Sequence, residues 1–483
     1  MSEIVRESIA TVANFVGGEH VPPAGGRYLD NFCPSTGEPM GEIPDSDERD
    51  VDAAVAAARR AFPSWSATPA AERSRLLLRV ADLIEENRDE LARLESLDSG
   101  KPLSLAKRLD IPRAVANFRF FATAILHAST DAHVTDSTAL NYTLRQPLGV
   151  AGLISPWNLP LYLLTWKIAP AVAAGNTCVA KPSELTPATA SALTRLINEA
   201  GVPPGVVNIV HGLGGKAGQA LTAHRDVPLI SFTGGTVTGA KVAAAAAPLF
   251  KKLSLELGGK NPNVVFADAD LDEAVATSIR SSFWNQGEIC LCGSRIFVER
   301  SIHDRFVESF IAATRKLRIG DPLDESTDVG ALISEAHLQK VLGYVDLARS
   351  EGGTIATGGR RADRPGWFVE PAVITGLDCD CRVLQEEIFG PVVTITPFDG
   401  EEEAIRFANS TKYGLSASVW TRDLQRAHRV ASSLDAGTVW INCWLLRDLR
   451  VPFGGMKASG VGREGGFESL NFFTEAKNVC VKL

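Results

Sequence analysis

The stretch FWNQGEICLCGSR, residues 283–295, sets Cys290 and Cys292 one residue apart with no histidine between or beside them. The pair could be half of a metal site, two buried thiols, or a nucleophile with a neighbour. Structural zinc prefers C-x2–4-C with further ligands close by. The next histidine after Cys290 is His303, with no second one at ligand spacing, and the other close pair, Cys379 and Cys381, is again C-x-C. No metal is expected. A free cysteine often just packs as a small apolar side chain, and Cys292 is read that way. Cys290 stands just past a helix stop at Gly287, where a turning chain can project a side chain into a cleft.

A nucleophilic thiol needs a lowered pKa or a nearby base. None of the eight histidines lies in a recognisable motif. A carboxylate can act instead, and LELGGKNP offers Glu256 at the end of a predicted strand, beside two glycines that open space. Such a glutamate can equally be solvated or ion-paired. The third group is Asn158 in ISPWNLPL. Pro156 and Trp157 break a strand that ends at Ser155 and leave the amide at the carboxyl edge of a sheet, where ligands of α/β proteins bind. A neutral amide donor suits a developing oxyanion; the plainer reading is a turn residue or helix cap.

The elements that would position these groups alternate regularly. GVAGLIS (149–155) reads as a buried strand, LTWKIAPAVAAG (164–175) as a helix ended by Gly175, and NTCVAKPS as a strand. Thr186 is expected to cap a helix with Pro187 in its first position, running to Gly201. Strands follow at 206–210, 228–235 and 252–259. Short apolar strands joined by helices imply a parallel sheet covered on both faces. A second alternating set begins at NPNVVFADAD, where Asp270 and Glu273 form a D-x-x-E capping box. The helix behind it places Val275, Ile279 and Phe283 on one face and stops at Gly287, and similar units run to about residue 442. The polar stretch 128–147 is an excursion between the helices before it and the sheet after it. The coarse reading is α/β, with two domains sharing a cleft.

The bulk properties agree. The chain has 483 residues, 45% of them apolar and 22% charged, as in a soluble protein of two or three domains. A net charge of −8 argues against nucleic acid, which wants a basic footprint. No apolar run reaches the roughly 18 residues of a membrane helix. The start, MSEIVRESIATVANFVGG, carries two glutamates and does not read as a signal peptide. A cytoplasmic protein with free thiols is expected.

Taken together, ISPWNLPL, AKPSELTP, SFTGGTVTG, LELGGKNPNVVF, NQGEICLCGSR, QEEIFGPV and PFGGMKASGVGREGG resemble the aldehyde dehydrogenase superfamily over essentially the whole chain. The resemblance implies two Rossmann-like parallel-sheet domains and a small β oligomerisation element. It assigns 1–127 and 148–257 to NAD binding, 258–469 to catalysis, and 128–147 with 470–483 to assembly as a homodimer or homotetramer. It makes Cys290 the nucleophile, Asn158 and the Cys290 backbone N–H the oxyanion donors, and Glu256 the base that activates water against a thioester. The branch that passes the acyl group to coenzyme A lacks this glutamate, so hydrolysis is expected.

The glycines of GLGGKAGQAL are not spaced as G-x-G-x-x-G. The resemblance explains this through a modified mode of dinucleotide binding. It puts Lys181 and Glu184 at the adenosine ribose, and Gly214, Gly218, Phe232, Thr233, Gly234, Gly235 and Thr236 around adenine and pyrophosphate. Glu387 and Phe389 fall at the nicotinamide ribose, and Ile154, Ser155, Pro156, Trp157, Ser183, Thr238 and Leu257 complete the set. Gly235 stands where many relatives have serine, so a phosphate contact is missing or comes from backbone N–H. Glu184 would accept hydrogen bonds from free ribose hydroxyls and repel a 2′-phosphate, which favours NAD over NADP; Lys181 could soften that preference.

Two positions near the substrate mouth that are usually apolar or aromatic in this family match Arg113 and Arg447. Arginine suits planar capture of a carboxylate. The alternative is local surface pairing, Asp110 with Arg113 and Asp448 with Arg447. NYTLRQPLGVAGLISPWNLPLYLLTWKIAPA, DIPRAVANFRFFA and NQGEICLCGSRIFVER resemble the branch that oxidises 2-aminomuconate and 2-hydroxymuconate semialdehydes. That favours the carboxylate reading, with Leu159, Trp166 and Trp284 as apolar walls and Arg108 and Arg450 in reserve. Open alternatives are betaine aldehyde, retinal or an aliphatic aldehyde as substrate, a catalytically silent structural or binding protein, and a thioester hydrolase or esterase without redox chemistry.

Overall fold

The structure is a computed structural model that describes residues 12–483. The opening stretch weighed above as a leader lies, through residue 11, outside the described residues. An eight-stranded sheet runs in the order Glu19–Val21, Asn14–Val16, Val207–Ile209, Thr177–Lys181, Val150–Ile154, Leu229–Thr233, Lys252–Glu256, Gly460–Val461. The five strands from Val207–Ile209 to Lys252–Glu256 are parallel. Val150–Ile154 and Thr177–Lys181 are buried throughout, as expected of parallel strands covered on both faces. The edges are antiparallel: a short hairpin on one side and Gly460–Val461 on the other.

A second sheet of seven strands runs Thr354–Thr357, Ala372–Thr375, Val392–Phe398, Arg295–Glu299, Pro262–Val265, Ser416–Trp420, Thr438–Ile441. Its strands are parallel except at the Thr354–Thr357 edge. Ala132–Thr135, Ala139–Pro147 and Thr474–Lys482 form a separate antiparallel sheet. The excursion at 128–147 and the tail therefore come together, with the tail as an edge strand. Among the described residues no helix is long and apolar enough to cross a membrane.

Three local expectations change. The helix expected from residue 164 begins earlier and spans Pro160–Ala173, because Pro160 is preset for a first helical turn. The next helix, Ala188–Glu199, has Pro187 as its N-cap, with no side-chain cap bond. Thr186 Oγ1 is buried without a partner instead. The helix expected to stop at Gly287 ends at Phe283. Asn285, Gln286 and Gly287 then all take positive φ, at 52°, 55° and 73°. Asparagine tolerates that region, and here its amide is used, donating to the carbonyls of Asn158 and Glu288. Asp270 accepts a bond from the Glu273 N–H at 3.2 Å, which is one half of the expected capping box.

Candidate active site

The site is assembled where the carboxyl ends of the first sheet face loops of the second. After Ile154 the chain turns through Ser155, Pro156 and Trp157, and buried Asn158 precedes the Pro160–Ala173 helix. The Asn158 carbonyl accepts Lys101 Nζ at 3.0 Å and Asn285 Nδ2 at 3.0 Å. Its Nδ2 donates to the Glu288 carbonyl at 2.8 Å. An amide nitrogen carries two hydrogens, so a second N–H remains for a ligand.

Cys290 lies in a turn closed by the Cys292 N–H on the Ile289 carbonyl at 2.9 Å. Asn261 Nδ2 steadies that turn from the carbonyls of Cys290 (2.7 Å) and Cys292 (2.9 Å). Cys290 and Asn158 line one cavity of about 410 Å³. Burial, then the Glu387 and Glu256 carboxylates, push the Cys290 thiol up to about 12. Cys292 is buried in an apolar cluster with Ile289, Leu291 and Phe453. All eight cysteines are free thiols, and no metal-holding group of His, Cys, Asp or Glu occurs among the described residues.

Glu256 ends the strand Lys252–Glu256 and is buried, with Oε1 lacking any partner. Burial and then the nearby Glu464 hold its carboxyl well above the usual range, partly offset by Lys167, Arg447 and Arg463. Glu464 is itself tied down by Lys167 Nζ (3.1 Å), Trp166 Nε1 (2.5 Å), Ser231 Oγ (3.1 Å) and Ser254 Oγ (3.2 Å). Glu256 is not a wall of the cavity that holds Cys290, but it is within electrostatic reach of the thiol.

The cofactor residues named from the sequence fall around this same cavity, except Gly218 and Thr236. Gly218 lines an adjoining space of about 810 Å³, which shares Ile154, Glu184, Gly214, Phe232 and Thr238 with the first. Thr236 begins the Thr236–Ala246 helix, whose N-cap Gly235 faces the cavity. A Cβ at Gly214 or Gly235 would meet nothing within 4 Å. Ser155 Oγ and Thr233 Oγ1 are buried without partners. Open backbone, orphaned hydroxyls and a helix N-terminus suit a pyrophosphate, so a dinucleotide fits. Glu387 Oε1 accepts the Gly259 N–H at 2.9 Å, and a Cβ at Gly258 would come within 2.3 Å of its carboxylate; only glycine lets Glu387 approach so closely. Lys181 Nζ pairs with Glu184 at 2.9 Å. The sequence reading missed His337 and Lys340 on this cavity and Lys216 and Lys241 on its extension. These are single residues on helices or glycine turns, with no motif to flag them.

Arg113 and Arg447 have no ion pair among the described residues, because their expected partners are taken. Asp110 binds Lys101 at 2.7 Å, and Asp448 is held by Arg450 at 2.6 Å. Arg113 lies over the rings of Tyr162 (5.2 Å) and Trp166 (5.5 Å), and Arg447 over Phe453 at 3.8 Å. Nε and Nη2 of Arg113 and Nε of Arg447 are buried without a hydrogen-bond partner. Burial pulls the Arg113 pKa down, and the charge of Arg447 adds to that. Trp284 stands edge-on to Trp444 at 5.8 Å, while Leu159 and Trp166 are buried. The reserve arginines are engaged elsewhere: Arg108 stacks on Trp284 at 4.5 Å beside a separate pocket, and Arg450 is exposed on Asp448. Tyr162 and Phe453, which support the two guanidiniums, were not singled out from sequence.

A sequence model described as the aldehyde dehydrogenase family matches residues 20–479. The 2-aminomuconic semialdehyde dehydrogenase of Danio rerio is 56% identical, over 97% of this chain and 98% of its own. The 2-hydroxymuconic semialdehyde dehydrogenase of Pseudomonas sp. (strain CF600) is 49% identical, over 98% and 99%. Among solved structures, the NAD+ complex of aldehyde dehydrogenase from Bacillus cereus superposes with a TM-score of 0.98 at 41% identity, covering 100% of this chain and 99% of that one. With matches of this extent around the cysteine, amide and carboxylate described here, the chain belongs to the aldehyde dehydrogenase family.

Proposed function

We propose that this enzyme oxidises a semialdehyde carrying a distal carboxylate, 2-aminomuconate 6-semialdehyde or 2-hydroxymuconate semialdehyde, to the dicarboxylic acid with NAD. The carrying observation is that the Arg113 guanidinium, largely buried, and the partly buried Arg447 carry buried nitrogens with no hydrogen-bond partner and no ion pair among the described residues. Burying charged donors without partners is costly. A ligand carboxylate would relieve both, and the names of the two relatives above describe substrates with that group. Neither a cationic nor a wholly apolar aldehyde would.

In this reading Cys290, as thiolate, attacks the aldehyde carbon, and the free Asn158 N–H with the Cys290 backbone N–H holds the oxyanion. A dinucleotide held in the cavity would supply the acceptor for the hydride lost as the thiohemiacetal becomes a thioester. Its binding would use Glu184 and Lys181 at the adenosine ribose, the Gly235 helix start at the pyrophosphate, and Glu387 with Phe389 at the nicotinamide ribose. Glu256, once deprotonated, takes a proton from water, and the hydroxide attacks the thioester to release the acid and the Cys290 thiol. Among the described residues, 12–127 and 148–257 are assigned to the cofactor domain, with Gly460–Val461 completing its sheet, and the rest of 258–469 to the catalytic domain. The sheet built from 128–147 and 470–483 serves assembly into a dimer or tetramer.

The test is NADH formation with 2-hydroxymuconate semialdehyde against hexanal. A kcat/KM at least about a hundredfold higher for the carboxylate-bearing substrate is expected from two charge-assisted contacts. Equal values would return the substrate to an unspecified aldehyde. Activity that persists without NAD would instead indicate the hydrolase alternative.

A further inference from the structure

Lys101 is fully buried, an unusual place for a lysine. Its Nζ donates to Asp110 Oδ1 at 2.7 Å and to the Asn158 carbonyl at 3.0 Å, with Glu95 Oε1 at 3.8 Å. Glu95 is already engaged by the Leu161 N–H and the Thr189 hydroxyl. Burial pushes its carboxyl up to about 8. At 2.7 Å against 3.8 Å, Asp110 rather than Glu95 is the direct ion-pair partner of Lys101. Asp110 closes a π-helical turn, Ala106–Asp110, that leads directly into the Ile111–Ala124 helix carrying Arg113. Single π turns inside helices recur at functional sites. A buried pair of this kind is weak evidence for stability, since apolar replacements of similar volume are often as stable. Its geometry gives it another use: it spans from the Arg113 helix to the backbone of Asn158.

We infer that Lys101, held by Asp110, is a positioning residue for the oxyanion-binding amide: the pair is a strut that fixes Asn158 against the helix carrying Arg113. On the other side, among the described residues, the hydrogen bonds of Asn158 run to Asn285 and the Glu288 carbonyl. Without the strut the amide keeps those contacts but loses its anchor from below. The inference rests on the oxyanion role proposed above for Asn158. It concerns residues outside the cavity lining.

The test is a mutant cycle with hexanal, which has no distal carboxylate, so the outcome does not depend on how Arg113 reads substrate. Lys101→Met with Asp110→Leu removes both charges together. The expected result is a kcat lowered about tenfold to a hundredfold, the cost of a misplaced catalytic donor, with KM for NAD unchanged. Adding Asn158→Ala to that variant should lower kcat no further than Asn158→Ala does alone, because the strut acts through that amide. A merely structural defect would multiply with Asn158→Ala instead. Wild-type kcat in the charge-free variant, or multiplicative effects, would overturn the inference alone. Wild-type kcat in Asn158→Ala itself would overturn both the inference and the oxyanion role beneath it. If the charge-free variant fails to fold, Asp110→Asn replaces it in the same cycle, with the same expected and overturning results.

Discussion

Replacing Arg113 with methionine keeps an unbranched apolar stem over Tyr162 and Trp166 while removing the charge and every N–H donor. Nε and Nη2 of Arg113 are buried and without partners, which leaves two donors for a bidentate carboxylate. Hydrogen bonds involving a charged group contribute about 1.5–3 kcal/mol each. At the lower figure, two are worth about 3 kcal/mol, and about 1.4 kcal/mol corresponds to tenfold. Arg113→Met should therefore lower kcat/KM for 2-hydroxymuconate semialdehyde about a hundredfold. Arg447 has one orphaned nitrogen, Nε, so Arg447→Met should cost about tenfold. Arg113→Lys should recover little, because an ammonium lacks the planar fork. The assay is initial-rate NADH absorbance for each variant with the carboxylate-bearing substrate and with hexanal. Hexanal, with nothing to place against the guanidiniums, should change less than about threefold, within the range of ordinary surface effects. A loss of equal size on both substrates would refute the reasoning, since the arginines would then be supporting the site and not reading a carboxylate. No loss on either would do the same.

Three further outcomes follow from the buried groups. Glu256→Gln cannot accept a proton from water, so the enzyme should release about one NADH per site and then stall, with the acyl mass retained on Cys290; full turnover without an adduct would remove the glutamate from the mechanism. The Cys290 thiol, raised to about 12, should alkylate slowly with iodoacetamide at neutral pH and faster with each rise in pH, while saturating NAD should accelerate the neutral-pH reaction by bringing a cationic nicotinamide beside the sulfur. A free-enzyme rate that levels off near pH 7 would contradict that burial. Asp98 accepts bonds from Asn31 Nδ2 and the Ala188 N–H, yet burial raises it to about 7. Its folded pKa lies above an unfolded value of about 4, so its protonated form stabilises the fold fully below about pH 4, and that contribution is lost as pH rises to about 7, at about 1.4 kcal/mol per pH unit. Urea melts of Asp98→Asn should show a flatter pH dependence than wild type over that window, and an unchanged slope would dismiss the assignment.

How much of this was legible in the chain differs from element to element. The buried strand at 150–154 was readable because a parallel strand covered on both faces must be continuously apolar, whatever its neighbours. The end of the helix before Cys290 was not. Its last turn is undone by Asn285, whose amide bonds to Asn158, 127 positions away, and no local pattern encodes that. Thr186 looked like a cap by composition, but caps depend on where the preceding chain arrives.

The amino-acid sequence alone determined the chemical types and their order: one cysteine beyond a glycine turn, a glutamate at a strand end, an amide after a strand-breaking proline, and arginines where apolar residues usually stand. Such features are local, set by side-chain chemistry and by the period of each element. The tertiary structure alone decided which carboxylate each cation meets. It gave Asp110 to Lys101 and Asp448 to Arg450, and so left Arg113 and Arg447 unpaired. It also brought Glu387 against Gly258 and Lys101 beneath Asn158. Pairing and burial depend on distances between segments remote along the chain, and those distances exist only once the two sheets have packed.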